Sequence, residues 1–580
     1  MNIQTSSGNV YSYLRRTNEI VSGIVEENDF VWKFEPLQDF ASLPNVDNII
    51  ISITEQCNLR CTYCCYSGKY KNNRVHSSLT LCDRDVDAIF DFVEANTNKR
   101  PLRFSFYGGE PLMHYSLLQY AVLKAESIWG DQVSFSITTN ATLLTPERID
   151  WLVAHQVELC ISLDGTAAYH DNQRIDINGH GTFARVREHI LYIKEHHSGY
   201  LEHTRLMMTR QSFDDLEALA EAWNNDDVLQ GISPAYISSL APNPIDGIAT
   251  AGFDALKARY LKILNTYQEH PDLVILKEFL KECIDPWRNR PIMEAEGEIP
   301  MATCLPVSNK LFIDTNLQIG ICEKISDSYR IGNIKDGIDW QKSNYLVQTY
   351  YDRRKDRCKS CPAIRMCNLC LTSMEFDEEE WNVLCHNEQT YNKLYFWLFC
   401  EMAERSMLTK PSVPTLLSDH CTLNEIGEND ITALRTIFSD ADTQRYLPDL
   451  CDIAQTNDGI KQILKSFHTY LSKNEGVLWG IRKHDTLIGF VAAMDLSTNP
   501  TIFFAMHPKY RNLGYMQESV RLATQYVCDA KLTNELYTEV DVNNIASQKV
   551  LERCGYKVRE KQKLGYLYCY QNNNTDLQTS

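Results

Sequence analysis

The sequence of 580 residues has no apolar run of about 18 residues or more, so nothing in it reads as a membrane-spanning helix. Its first residues lack the basic, apolar and small-residue succession of an export signal. Basic charge is scarce. There are 57 Lys and Arg against 76 Asp and Glu, a formal net charge of −19. A surface that tracks nucleic acid wants a basic face, so neither nucleic acid nor a membrane is an expected partner, and a cytoplasmic location is expected. No internal repeat and no long low-complexity segment occurs. With 44% hydrophobic and 23% charged residues the chain is not a disordered one, and its length implies two to four domains.

Cysteine is what the sequence has in plenty. Twenty cysteines in a cytoplasmic chain do not read as a disulfide framework. They read as metal thiolates, with some buried as small hydrophobes. Ten of them, in two spaced groups, carry the pattern.

From Asn48 to about Leu240, strand-like runs alternate with helical stretches; examples are Ile49–Ile53, Arg103–Phe106, Val133–Thr138, Val157–Ser162 and Arg205–Met208. That alternation predicts parallel β/α units. Residues 250–290 read as helical, with Leu261, Ile263, Leu264 and Tyr267 on the apolar face. Residues 300–390 show few helical signals, as expected where metal replaces a hydrophobic core. Glu388–Met407 reads as a helix, Lys410–Pro414 as a linker, and a second α/β pattern begins near residue 415. The expected organisation is an N-terminal segment over 1–45 of unassigned role, domains over 46–290 and 295–408, and a last domain over 415–575.

The first cysteine group, Cys57-x3-Cys61-x2-Cys64, follows the strand Ile49–Ile53 on a loop. Three thiolates can hold three irons of a [4Fe–4S] cluster and leave the fourth iron open to a ligand. Zinc sites and four-cysteine clusters use closed sets, so a missing fourth ligand is informative. Cys65 reads as a packing residue that points elsewhere. The spacing, the aromatic Tyr63 before the third cysteine and the placement after the first strand resemble the radical S-adenosylmethionine (radical SAM) superfamily. That resemblance implies a partial (β/α)6 TIM-type barrel. It also implies that S-adenosylmethionine chelates the open iron and is cleaved to a 5′-deoxyadenosyl radical, with electrons from a donor such as flavodoxin or ferredoxin. A structural zinc or iron site is the alternative.

Further segments lie at later strand ends, where barrel folds place ligands. Gly108-Gly109-Glu110-Pro111 resembles the family's GGEP motif; glycine lets backbone approach a ligand closely, and Glu110 can accept from an ammonium. Thr139-Asn140-Ala141-Thr142 resembles its T-N-G-T segment, with Ala141 in place of glycine. Ser162-Leu-Asp164-Gly165 and His170-Asp171-x-x-Arg174 resemble segments of peptide and protein maturases. The resemblance gives Tyr63, Gly108, Gly109, Glu110, Asn140, Ser162 and Arg174 to the cofactor; a surface turn at His170–Arg174 is the plain alternative.

The second group is Cys304-x17-Cys322, Cys358-x2-Cys361-x5-Cys367-x2-Cys370 and then Cys385. Seven thiolates in about 80 residues exceed one closed site and suit two iron–sulfur clusters, with a zinc-ribbon pair as the alternative. The arrangement resembles the SPASM domain, a cysteine-rich iron–sulfur domain with two auxiliary [4Fe–4S] clusters. The match implies Cys358, Cys361, Cys367 and Cys385 on one cluster and Cys304, Cys322 and Cys370 on the other. Two departures stand out: Leu317 replaces a glycine, and only two residues separate Cys367 from Cys370 where the family has three.

Near the C-terminus, Val477–Ile481, Thr486–Met494 and Thr501–Met506 read as consecutive strands, followed by Arg511-Asn-Leu513-Gly514-Tyr515-Met516 opening a helix. Amides at such a helix start cradle phosphate, and Arg511 adds charge. This order resembles GNAT N-acetyltransferases, an α/β fold, and implies acetyl-CoA held by Arg511, Leu513, Gly514, Tyr515, Met516 and Asn544. Acetyl transfer needs a path for the amine proton and a donor to the leaving thiolate. Leu551 stands where relatives have a tyrosine, so Ser547 is the expected donor, with Glu539 or Glu518 as base. A degenerate domain that only binds substrate is the alternative. Taken together, the expectation is a maturase that introduces a thioether or carbon–carbon crosslink into a ribosomally made precursor peptide and acetylates it. A formylglycine-forming sulfatase maturase and an acetyltransferase with structural metals are the rivals.

Overall fold

A computed structural model describes the chain apart from residues 28–29, 33–36, 38, 40–42, 44–45, 71–74, 99–100, 211, 240–249, 251, 291, 293–302, 324–326, 409–412, 419, 485, 531 and 572–580. Most of the expected Lys410–Pro414 linker lies outside the described residues. The chain divides into two compact units, Met1–Trp287 with Glu294–Glu404, and Arg288–Met293 with Arg405–Ser580. No helix among the described residues is long and apolar enough to cross a membrane.

The first unit opens with strands β1 (Asn2–Gln4), β2 (Val10–Tyr13) and β3 (Ile20–Ser22) in an antiparallel sheet. Tyr13 anchors it, packing edge-on at 5.0 Å from Trp287. The main sheet follows: β4 (Asn48–Thr54), helix α1 (Asp83–Asn96), β5 (Leu102–Gly108), α2 (Tyr115–Trp129), β6 (Val133–Thr139), α3 (Pro146–Ala154), β7 (Val157–Ser162), α4 (Ala167–His170), α5 (Phe183–His196), β8 (Thr204–Arg210), α6 (Leu216–Asn224) and β9 (Tyr236–Ser239). Strands β4 to β9 are parallel and adjacent in chain order, six neighbouring strands of a ten-stranded sheet. Alternation dictates the faces. Phe104 of β5 packs on Phe90 of α1 and Trp129 of α2. The alternating residues are polar: Glu158 of β7 pairs with Arg103 at 2.8 Å and Arg205 at 2.7 Å.

Helices α7 (Phe253–Glu269) and α8 (Val274–Arg288) divide the helical stretch expected over 250–290. The strands β10 (Lys310–Ile313), β11 (Gln318–Gly320), β12 (Arg330–Asn333) and β13 (Gly337–Ile338) then extend the same sheet, with β10 parallel to β4. The expectation of little helix over 300–390 is corrected here. Helix α9 (Trp340–Lys355) forms there, capped by Asp339, whose Oδ1 accepts from Lys342 N at 2.9 Å. Helix α10 (Glu378–Glu404) starts ten residues before the expected Glu388, with three glutamates in its first turn that suit the helix dipole.

The second unit contains β14 (Leu416–Leu417), β15 (Thr422–Asn424), α11 (Ile431–Phe438), α12 (Ala441–Tyr446), α13 (Pro448–Ile453), α14 (Asn457–Ser472), β16 (Gly476–Lys483), β17 (Thr486–Met494), β18 (Thr501–Met506), α15 (Tyr515–Asp529), β19 (Glu535–Asp541), α16 (Ile545–Arg553), β20 (Lys557–Lys561) and β21 (Gly565–Gln571). Its sheet runs β14-β15-β16-β17-β18-β19-β21-β20. Strands β18 and β19 are parallel and meet at the single pair Thr501 and Tyr537, so they part beyond it.

Candidate functional site

Strand β4 delivers the chain into the loop of Cys57, Cys61 and Cys64. Two segments hold that loop by its backbone. Gly109 N donates to Thr54 O at 2.7 Å and Glu110 N to Gln56 O at 2.8 Å. Arg60 N donates to Ile175 O at 2.8 Å and Thr62 N to Gln173 O at 2.9 Å. The glycines make the first contact possible. A Cβ on Gly108, whose φ is +133°, would lie 2.2 Å from Thr54 O, and one on Gly109 would lie 2.1 Å from Gln56 O. The close approach expected toward a ligand is thus an approach to the cysteine loop itself.

Glu110 is buried. Its Oε1 accepts from Leu112 N at 3.0 Å and Thr139 Oγ1 at 2.8 Å, and its Oε2 from Asn140 N at 2.7 Å. Three of its roughly four acceptor positions are therefore filled by the fold. Asn140 Nδ2 donates to Asn58 Oδ1 at 3.0 Å and lies 3.9 Å from Cys57 Sγ. Ala141 sits at φ 59°, a left-handed conformation that explains a glycine preference there.

Asp164, within the Ser162–Gly165 motif, is a hub. Its carboxylate accepts from Tyr63 Oη, from Arg174 Nε at 3.0 Å and from Thr209 N at 3.0 Å. Arg174 in turn places Nη1 3.9 Å from Cys61 Sγ and its guanidinium 5.5 Å from the Tyr63 ring. Burial opposes the charge of Arg174, but Tyr63, Asp164 and Cys61 outweigh it and raise its pKa. The surface-turn alternative for His170–Arg174 fails: His170 is 0% exposed, accepts from Asp164 N at 3.3 Å and lies 3.0 Å from Thr182 Oγ1. Ser162 ends β7 half-buried.

Burial pushes the Cys57 thiol up to about 12, and Cys61 up as well. Cys64 is raised first by a hydrogen bond with Cys65 and then by burial, so Cys65 does not point elsewhere as expected. His76 Nε2, missed in the sequence, lies 3.7 Å from Cys64 Sγ. Among the described residues, no group of three or more His, Cys, Asp or Glu closes on one ion. A [4Fe–4S] cluster sets a different demand, because each thiolate takes its own iron and the sulfurs stand further apart. Three partly buried thiols that resist ionisation alone, beside a guanidinium, fit a cationic iron core that stabilises thiolates.

In the second group, Cys358, Cys361, Cys367 and Cys385 all act electrostatically on, or are acted on by, the buried Arg354. Gln389 Nε2 lies 3.6 Å from Cys361 Sγ. Lys310 Nζ lies 3.8 Å from Cys322 Sγ and also senses Cys304. Leu371 N donates to Thr303 Oγ1 at 3.1 Å, which brings the neighbours of Cys370 and Cys304 together. Leu317, where the SPASM resemblance expects glycine, has φ 60° in the turn between β10 and β11, a left-handed conformation that leucine occupies under strain. Thr315 of the same turn donates to Glu55 Oε1 at 3.1 Å, tying this segment to the cysteine loop.

In the second unit, Gly514 has φ +90° and precedes α15, whose first turn has no side-chain cap. Amides there are free for an anion. Leu513 is 61% exposed, Tyr515 is buried and Met516 packs partly on the core. Arg511, expected at a pyrophosphate, has another employment. It binds Asp440 and Asp442, the latter at 3.0 Å, and donates to Met506 O at 3.2 Å. Its charge is neutralised locally, and it anchors the loop. Asn544, expected at the cofactor, caps α16, its Oδ1 accepting from Ser547 N at 3.2 Å. Ser547 is half-buried; Glu539 is exposed and accepts from Gln562 Nε2 at 3.1 Å. Glu518 accepts from Ser418 Oγ at 2.8 Å and lies 2.7 Å from His420 Nδ1. Leu551 is packed in the core.

Residues 51–222 match the profile of the radical SAM superfamily, and residues 420–557 that of the acetyltransferase (GNAT) domain. The chain joins a radical SAM domain to a GNAT acetyltransferase domain. The chain is 28% identical over 167 residues to a cysteine-type anaerobic sulfatase-maturating enzyme of Clostridium novyi (strain NT), covering 27% of this chain and 43% of that protein. It is 21% identical over 383 residues to the enzyme of the same name from Clostridium perfringens (strain 13 / Type A), covering 62% and 97%. A solved structure described as native anSMEcpe with bound AdoMet is 17% identical, covering 62% of this chain and 100% of that one, with a TM-score of 0.47. The chain spans less than half the length of the first curated relatives it matches.

Proposed function

We propose that the chain is a radical SAM enzyme that modifies a ribosomally synthesised precursor peptide, forming a thioether or carbon–carbon crosslink, and that the GNAT domain acetylates the same peptide. One observation carries the reading: the Cys57, Cys61 and Cys64 thiols sit on a loop clamped on both sides, with Arg174 3.9 Å from Cys61. The cluster and S-adenosylmethionine would supply the 5′-deoxyadenosyl radical. Cys57, Cys61 and Cys64 bind the irons. Arg174 and Ser162 face the cofactor's polar groups, Glu110 and Asn140 fix the strand ends around it, and Tyr63 holds Arg174 through Asp164. Cys358, Cys361, Cys367 and Cys385, and separately Cys304, Cys322 and Cys370, hold the auxiliary clusters. The uncapped start of α15 takes the pyrophosphate of acetyl-CoA, and Ser547 donates to the leaving thiolate. A flavodoxin or ferredoxin supplies electrons. Two modifying units on one chain keep a shared substrate at high effective concentration.

The test is direct. Anaerobically loaded, reduced protein should release 5′-deoxyadenosine from S-adenosylmethionine and carry about twelve irons for three clusters. A co-expressed peptide should lose two hydrogens per crosslink and gain an acetyl group. No 5′-deoxyadenosine, or zinc in place of iron, overturns the reading. A second reading, formylglycine formation on a sulfatase, is favoured by the relatives' names and leaves the GNAT domain without a role. It predicts conversion of a Cys/Ser-x-Pro/Ala-x-Arg peptide to its aldehyde.

A further inference from the structure

The N-terminal sheet belongs to neither matched profile. Among the described residues strand β1 pairs with β2 alone, and the bonds Tyr13 N to Met1 O and Thr5 N to Asn9 O set the odd-numbered residues toward that partner. The amides and carbonyls of Asn2 and Gln4 then face outward as an open edge. Helix α7 lies beside this edge, with Lys257 Nζ donating to Gln4 O at 3.3 Å. Between them opens a groove of about 350 Å³, walled by Ile3, Ile24, Phe253, Lys257, Lys393 and Trp397.

Two ammoniums line the groove, beside the amide side chains of Asn2 and Gln4. Lys257 Nζ stands 5.1 Å from the Trp397 ring and Lys393 Nζ 4.6 Å from the Phe253 ring, so aromatic faces hold both ammoniums in place. Trp397, which carries the face under Lys257, is 0% exposed. Ile3, Val10 and Ile24 add apolar lining, and Ile24 is 68% exposed. The α10 carboxylates Glu401 and Glu404 are held by the turn after β1, through Ser6 N at 2.8 Å and Ser7 Oγ at 2.7 Å, which leaves the two ammoniums as the charged groups lining the groove.

An open strand edge asks for an extended chain, apolar walls ask for alternate apolar side chains, and two ammoniums, of Lys257 and Lys393, ask for carboxylates or carbonyls. We infer that this groove binds an extended acidic segment of the polypeptide substrate, laid against β1 as an outer strand. The inference rests on the reading that the substrate is a polypeptide, and the groove shares no residue with the cysteine loop.

Fluorescence anisotropy on the full, cluster-loaded chain tests it. The probes are a short fluorescein-labelled peptide in which glutamate alternates with leucine and its lysine-for-glutamate counterpart. The glutamate peptide should bind and the lysine peptide should not. The double variant Lys257→Glu/Lys393→Glu should weaken binding about tenfold or more, while 5′-deoxyadenosine formation without peptide stays unchanged. The inference is overturned if the double variant binds the glutamate peptide as well as the parent does, or if both peptides bind alike. It is equally overturned if the variant only splits a dimer without changing peptide affinity. Failure of the parent to form 5′-deoxyadenosine would count against the radical reading instead, because no groove residue takes part in that step.

Discussion

Replacing Asp164 by asparagine tests the hub that joins the cysteine loop to the later strand ends. The Asp164 side chain is 0% exposed and that of Arg174 11%, so both charges depend on each other rather than on water. In the variant, the remaining carbonyl oxygen can still accept from Thr209 N, as Oδ1 does at 3.0 Å. The new amide NH2 takes the place of Oδ2, which accepts from Tyr63 Oη and Arg174 Nε. Two donors then meet a donor, and a buried guanidinium loses its counter-charge. Breaking such a pair costs about 3–5 kcal/mol. Tyr63→Phe removes one hydrogen bond to a charged group and should cost about 1.5–3 kcal/mol. Urea denaturation gives both values, and hydrogen exchange over residues 60–66, 162–176 and 207–210 locates them. If Asp164→Asn lies within about 1 kcal/mol of the parent, or costs no more than Tyr63→Phe, the hub is not a buried charged node and the reasoning fails.

Gly109→Ala would drive a Cβ to 2.1 Å from Gln56 O, so about 3 kcal/mol or more should be lost. Iron and sulfide content after anaerobic reconstitution should fall with it. Leu317→Gly should stabilise the chain by about 1 kcal/mol or less, because it relieves a left-handed φ of 60° while loosening the unfolded state; a lower thermal midpoint would refute the strain. His170 makes a pH prediction. Burial lowers its pKa from 6.5 to about 4, so the unfolded chain takes up the proton first. Its contribution is complete above pH 6.5 and is lost as pH falls toward 4, about 3 kcal/mol in all. His170→Gln should flatten that part of the stability profile.

Sequence made the strand ends and the cysteine spacing legible, because those signals are local. The runs at Ile49–Ile53 and Val157–Ser162 appear as β4 and β7, since alternation and β-branched residues act within a few positions. Helix α9 was missed because its tyrosines and arginines give little apolar periodicity; its capping Asp339 was the available signal. The Asp164 hub joins residues 101 positions apart, and no spacing rule reaches that far. Arg511 shows the same limit. Its motif is local, but the carboxylates that engage it lie about 70 positions earlier in the chain. The glycine positions held by Ala141 and Leu317 were visible as departures, and their left-handed backbone supplies the reason.

The parallel pairing of β10 with β4 has a practical corollary for anyone cutting this chain. Ile49, Ile50, Ile51 and Ile53 are all buried, and β10 covers one side of their strand. A fragment ending before residue 300 would bare a row of unmet amide and carbonyl groups along an isoleucine-rich ribbon, the ordinary seed of edge-to-edge aggregation. Such a piece should precipitate on expression, whereas one ending after Glu404 should stay in solution.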